Sequence, residues 1–214
     1  MSDGAVLVDL EGVSVRAGAV RILDDVSLTV RAGEAVGIFG SNGAGKTTLL
    51  RLIATLQPPQ GGRCSVFGAD MYSVARYDVR RRIGYVGHTP GLYPELTLLE
   101  NLAFVADAQG LPTSEALRSL ELVGLGGAAD RRADHSSHGM QRRTEFARIL
   151  MTGPELLLLD EPHSALDADA INLVDTLVHR TVDRGGAAVL VSHDRDRMNT
   201  LTTRTHEIKN GTLL

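Results

Sequence analysis

The nine residues GSNGAGKTT, at 40–48, fit the pattern G-x-x-x-x-G-K-[ST]. Gly40, Ser41, Asn42, Gly43, Ala44 and Gly45 would turn backbone N–H groups inward around phosphate oxygens. A helix opening at the end of the run would aim its positive end at the same anion. Lys46 would hold the β and γ phosphates and the Thr47 hydroxyl would bind Mg²⁺, with Thr48 counted among the nucleotide-binding residues. A second run, LLLLDE at 156–161, ends in two carboxylates. Side chains alternate along a strand, so Asp160 and Glu161 cannot do the same job. Asp160 would support Mg²⁺ through water. Glu161 would sit beyond the γ-phosphate, able to orient and deprotonate an attacking water. Either run alone could be a glycine-rich turn or a capped strand end. Together they describe a nucleoside triphosphate site.

The elements that must position these residues follow from hydrophobic patterning. EAVGIFG (34–40) is a buried strand leading into the glycine loop, and Gly45 to Leu56 reads as a helix. The LLLLD run is too short and too uniformly apolar for a surface helix, as a parallel strand buried on both faces would be. GAAVLVSH (186–193) reads the same way, and it ends on His193. Residues 5–30 read as short alternating strands, with RCSVFG (63–68) and RIGYVG (82–87) as further strands. Residues 96–122 are helical in pattern, broken by Gly-Leu-Pro, and helices are predicted at 139–151 and 167–184. The ends thus predict a parallel α/β sheet and the middle an inserted helical subdomain.

Composition bounds the partners. The chain has 214 residues and a net charge of −4, which gives no nucleic-acid footprint. Arg80–Arg82 and Arg131–Arg132 read as solvated faces. There are 20 arginines and only two lysines, Lys46 and Lys209. The compact ammonium at 46 therefore stands out: it fits a tight loop where a planar guanidinium would not. The single cysteine, Cys64, cannot form an internal disulfide and reads as a small buried hydrophobe. The N-terminus lacks the basic and apolar regions of a signal peptide, and no apolar run approaches the ~20 residues of a membrane span.

In their order along the chain, these motifs resemble the ABC-transporter ATPases, the nucleotide-binding cassettes. SSHGM (136–140) stands where the family has its LSGGQ-type signature, SALD (164–167) matches the D-loop, and His193 matches the switch histidine. The resemblance implies an α/β P-loop, RecA-like core with a mostly parallel sheet. It adds an N-terminal antiparallel β-subdomain and an inserted α-helical subdomain. One ABC ATPase domain would span 1–214, with the core at about 1–88 and 153–214 and the helical subdomain at about 89–152. It implies ATP hydrolysis with Mg²⁺. It also implies a head-to-tail homodimer or paired cassette in which Ser137 and Gly139 act on the other subunit's ATP. His193 would contact the γ-phosphate. His135 and His138 are spaced for a metal clip, but no partner ligands lie near them in sequence.

The sequence departs from the family pattern in three places. His88 stands where most members have the Q-loop glutamine, which reaches Mg²⁺ and the water. The first, third and fifth signature positions differ. The stretch VRAGAV (15–20) carries no aromatic to stack on adenine, leaving the guanidinium of Arg16 as the candidate.

The segment GHTPGLYPELTLLENL (87–102) would receive the coupling helix of a separate integral membrane subunit, and the chain would act peripherally at the cytoplasmic face of the membrane. That segment resembles the ATPases of bacterial haem exporters in cytochrome c biogenesis. SHGM also resembles signatures in exporters of drugs, polysaccharides and other hydrophobic cargo. A P-loop kinase would need a lid in place of the signature, and a GTPase would carry an NKxD-type motif, which is absent. A soluble ABC ATPase clamping nucleic acid or ribosomes would carry fused cassettes or coiled coils.

Overall fold

The computed structural model describes residues 4–163 and 168–214. The SALD run at 164–167, and with it the predicted D-loop, lies outside them. The described chain forms two compact units. One comprises residues up to Tyr85, Pro154–Pro162 and Val178–Leu214; the other comprises Val86–Gly153 and His163–Leu177.

The first unit opens with β1 (Val6–Ala17) and β2 (Val20–Arg31), an antiparallel hairpin closed at Ala17↔Val20. Val8 and Leu10, and beyond a register shift Val13 and Val15, are fully or almost fully buried. This is the period-2 signature of a sheet with one covered face. β3 (Ala35–Phe39) is buried along its whole length. It runs into the glycine loop and then α1 (Lys46–Ile53). The helix buries Leu49, Leu50, Leu52 and Ile53 and packs on later strands of the parallel sheet. Burying each such side chain contributes about 1.5–3 kcal/mol.

β4 (Gly61–Val66) and the short β5 (Ala69–Asp70) complete a four-stranded sheet in the order β2-β1-β4-β5, antiparallel throughout. A 3₁₀ turn over Val74–Arg82 leads to β6 (Ile83–Val86). Arg80 and Arg82 are exposed there, as expected, but neither is merely solvated. Arg80 donates to the Thr55 hydroxyl and carbonyl, both at 2.8 Å. Arg82 makes a bidentate pair with Glu155 at 2.7 Å and lies 3.7 Å over the Phe67 ring.

In the second unit, α2 (Leu98–Gln109), α3 (Ser114–Leu122) and α4 (His138–Thr152) pack pairwise. A capping box starts α2: the Thr97 hydroxyl accepts from the Glu100 N–H, and the Glu100 carboxylate accepts from the Thr97 N–H. Buried Asn101 ties down the approach to that helix. Its side-chain oxygen accepts from the Tyr93 N–H at 2.7 Å, and its amide donates to the carbonyls of Tyr93 and Thr97.

The chain then returns through β7 (Leu156–Asp160), α5 (Ala168–Asp183), β8 (Ala187–Ser192), α6 (Arg195–Leu201), β9 (Arg204–Lys209) and β10 (Thr212–Leu213). The larger sheet has the order β10-β9-β3-β8-β7-β6. β3 pairs in parallel with both β8 and β9, and β7 pairs in parallel with β8. Every residue of β3, β7 and β8 is buried, which explains their unbroken apolar sequences.

Candidate functional site

The glycine loop follows the buried end of β3. Gly45 sits at φ +108°, and a Cβ there would lie 2.9 Å from the Ile22 carbonyl oxygen. At Gly40 a Cβ would meet the Ile208 carbonyl oxygen at 2.5 Å. Glycine at both positions therefore lets the loop pass close to β2 and β9. Lys46 is the first residue of α1 and is 7% exposed. Its ammonium donates to the carbonyls of Gly40 (2.7 Å) and Ser41 (3.3 Å), so it caps the loop from inside. Ser41, Asn42, Gly43 and Thr47 are exposed, Ala44 is buried and Thr48 is half-buried.

β8 lies between β3 and β7 in the sheet, so the ends of all three strands gather on one side of it. Asp160, the last residue of β7, is 1% exposed. Glu161 follows at φ +48°, a left-handed conformation that is uncommon for a residue with a side chain. Its N–H donates to the Val191 carbonyl at 2.9 Å, anchoring the turn to β8. One carboxylate oxygen, Oε1, lies 3.5 Å from the Lys46 ammonium. The other, Oε2, accepts from the Ser192 hydroxyl at 3.0 Å and lies 2.9 Å from His193 Nδ1. A neutral His193 bonded in this way carries its proton on Nδ1 and leaves Nε2 as an acceptor. The fold thus gathers Lys46, Glu161 and His193 from the glycine loop, the end of β7 and the end of β8.

Sequence reasoning missed Ser192. Its only signal was its place before His193 at the end of an apolar strand. Thr47 and Asp160 are a hydroxyl and a carboxylate, hard oxygen donors of the kind that suits Mg²⁺. Arg16 is exposed near the end of β1, and its backbone is fixed on both sides by the side chain of Gln60, which accepts from its N–H and donates to its carbonyl.

The remaining candidates belong to the helical unit. Ser137 is the N-cap of α4 and accepts from the Met140 N–H at 3.3 Å. That bond uses a lone pair, so the hydroxyl proton can still be donated. Gly139 lies in the first turn, and a Cβ there would meet nothing closer than Ser137 Oγ at 4.0 Å. His88 is exposed on the segment after β6, and the backbone around it is held by α4: Arg142 donates to the carbonyls of Gly87 (2.5 Å) and His88 (3.4 Å).

A glycine loop between a buried parallel strand and a helix, with two carboxylates ending a strand of the same sheet, defines a P-loop nucleotide-binding domain. The chain belongs to the ABC transporter family, whose profile matches residues 23–164. As a member it is an ABC ATPase, the ATP-binding subunit of a transporter.

The cytochrome c biogenesis ATP-binding export protein CcmA of Ruegeria pomeroyi is 39% identical to it, over 85% of this chain and 82% of the relative. The Fe(3+) ions import ATP-binding protein FbpC of Brucella abortus is also 39% identical, over 88% of this chain; the match spans about half, 54%, of that relative. The daunorubicin/doxorubicin resistance ATP-binding protein DrrA of Streptomyces peucetius matches at 39% over 91% of this chain and 60% of its own length. Among solved structures, the dimeric post-hydrolysis state of the ATP-binding cassette MJ0796 bound to ADP and Pi superposes with a TM-score of 0.88 at 27% identity. That alignment covers 97% of this chain and 96% of the other.

Proposed function

We propose that the chain is a single ABC ATPase domain over 1–214 whose two copies, or paired cassettes, close head to tail on ATP and drive an integral membrane subunit from its cytoplasmic face. The observation that carries the catalytic assignment is Glu161, held between Lys46, Ser192 and His193 at the end of a buried strand. In this reading residues 40–48 bind the triphosphate, with Lys46 on its β and γ phosphates. Thr47 and Asp160 would hold Mg²⁺, which when bound neutralises phosphate charge. Glu161 orients a water and takes its proton as the water oxygen attacks the γ-phosphorus. The bond from that phosphorus to the bridging oxygen breaks, leaving ADP and phosphate. His193 contacts the γ-phosphate. Ser137 and Gly139 complete the site of the opposite subunit, where the first turn of α4 offers its N–H groups to the anion. His88 stands in for the glutamine that touches water or Mg²⁺ in most relatives, so His88→Gln should keep activity.

Glu161→Gln should keep ATP binding and lower turnover by ~10²–10⁴, the usual worth of a general base. It should also accumulate an ATP-bound dimer. Near-normal hydrolysis in that variant would remove Glu161 from the role. The trans assignment has its own test. Ser137→Arg and Lys46→Ala should each be inactive alone, yet mixing them should restore activity, because both lesions fall on one composite site and the other is intact. No recovery in demonstrated heterodimers would sink the head-to-tail reading.

For cargo, haem export in cytochrome c maturation is the reading we favour. It rests on the 87–102 segment and on CcmA, whose length the match nearly spans. An exporter of drugs or other hydrophobic cargo is the second reading, favoured by equal identity to DrrA over more of this chain. Purification from membranes separates the two: the membrane subunit that accompanies the chain either binds haem or does not.

A further inference from the structure

The α4 helix carries a buried ion pair that the catalytic reading does not use. Arg142 and Glu145 are 1% and 2% exposed, and Arg142 Nη1 lies 3.1 Å from Glu145 Oε2. Both side chains also reach a neighbouring loop. Arg142 donates to the carbonyls of Gly87 and His88, and Glu145 Oε1 accepts from the Gly91 N–H at 3.1 Å. The Gly87–Gly91 segment has no helix or strand ladder, and Pro90 has no N–H to offer, so its main-chain groups need partners from elsewhere. The side chains of His88 and Thr89 point to solvent, so α4 holds this loop through its main chain.

We propose that Arg142 and Glu145 are positioning residues that fasten the Gly87–Gly91 loop to the second turn of α4, so that the loop bearing His88 and the helix presenting Ser137 act as one piece. The proposal rests on the reading of Ser137 and His88 given above. An ion pair kept only for stability is a poor alternative. Two buried charges lose their hydration, and an apolar pair of similar volume commonly stabilises as well or better. Among the described residues, Arg142 Nε is buried without an acceptor, a further cost that a purely stabilising pair would not carry. Glu145 also faces Arg148, and burial raises its pKa. What the pair provides that an apolar pair cannot is three directed bonds to one loop.

That difference gives the test. In the full chain, R142M/E145L removes both charges of the pair together, and Arg148 loses the Glu145 carboxylate that it faces. The thermal midpoint should move by less than about 4 °C. Hydrogen exchange at the Gly91 amide should speed up by at least about tenfold, while the amides of α4 stay protected. The Kd of the monomer for a fluorescent ATP analogue should stay within about twofold, and kcat should fall by at least about tenfold, a loss confined to the assembled site.

R142M/E145Q restores an acceptor for the Gly91 N–H. It should recover Gly91 protection and bring kcat back to within about threefold of the parent. A folded R142M/E145L with unchanged kcat, or with unchanged Gly91 exchange, overturns the proposal. If that variant does not fold, R142M/E145Q decides alone: a protected Gly91 amide with kcat within about threefold of the parent supports the clamp, and a protected Gly91 amide with kcat lowered more than about tenfold overturns it. The mixing experiment alters only Ser137 and Lys46, so it reports on the trans reading separately. If Ser137→Arg hydrolyses normally, that reading falls, while loss of Gly91 protection would still show the clamp acting on His88.

Discussion

Glu161 combines a left-handed backbone with a carboxylate shared among an ammonium, a hydroxyl and an imidazole. A non-glycine residue in that conformation costs on the order of 1–2 kcal/mol, so the surrounding bonds must hold it there. Two other residues make separable predictions. Cys64 is fully enclosed beside β1, and burial, followed by the charges of Asp70 and Asp9, pushes its thiol up to about 12. The unfolded thiol ionises near 9, so the folded state binds the proton more tightly. The associated stability is complete below pH 9 and is lost as pH rises toward 12. By pH 10 the loss from this one group should be about 1.4 kcal/mol. Chemical denaturation at pH 8 and pH 10 should show it, and Cys64→Ala should remove that part of the slope. Arg16 makes the second case. It has no aromatic neighbour in 15–20, and a guanidinium on a base face contributes only ~0.5–2 kcal/mol without reading the base edge. GTP should therefore compete within about tenfold of ATP, which is ~1.4 kcal/mol. A hundredfold preference for ATP in a competition assay would reveal an adenine pocket elsewhere. Tyr77 is poorly placed to supply one, since the guanidinium groups of Arg76 and Arg80 already lie over its ring.

Among the elements, α2 tests how local chemistry fixes a boundary. Its capping box satisfies N–H groups that the helix cannot. Thr97→Ala should destabilise the protein by about 1 kcal/mol and lower the thermal midpoint by roughly 2–4 °C, with Thr97→Ser close to the parent. An unchanged midpoint in the alanine variant would show that the cap is redundant. The same locality explains which elements the sequence reveals. β3, β7 and β8 are legible because a strand covered on both faces must be apolar throughout, and α1 because a glycine loop must be followed by a helix. β9 is not legible: RTHEIK buries only Ile208, and its remaining residues alternate in polar types that also suit a loop. The 3₁₀ turn VARYDVRRR is equally silent, being held by contacts such as Arg80 to Thr55, 25 residues away. The same limit applies at the site. The loop and the strand end could be read directly, but the Ser192–Glu161 bond depends on β7 and β8 pairing across 31 residues. Nothing in the sequence sets Arg142 and Glu145 apart from other charged residues of the helix, and the packed structure shows them buried.

The net charge is −4, and among the described residues no helix is long and apolar enough to cross a membrane. The chain divides into two units, yet it passes between them repeatedly, and α5 runs through the division at Leu177 and Val178 without a break. A helix that belongs to both units cannot melt in one and stay intact in the other without fraying at that point. We therefore expect one cooperative thermal transition, with calorimetric and van't Hoff enthalpies equal. Nucleotide should shift all of it. Mg·ADP at 100 times its Kd binds only the folded state and adds about 2.7 kcal/mol. For a chain of this size each kcal/mol is roughly 2–4 °C, so the midpoint should rise by roughly 5–11 °C. Lys46→Ala should abolish the rise without abolishing the transition, because its contacts are to loop carbonyls and to Glu161 rather than to the apolar core. Differential scanning calorimetry reads every outcome. Two resolved transitions, with only one moved by nucleotide, would mean that the units unfold separately and that α5 does not couple them. A single transition unmoved by Mg·ADP at saturation would mean that the loop at 40–48 does not bind nucleotide in the isolated chain.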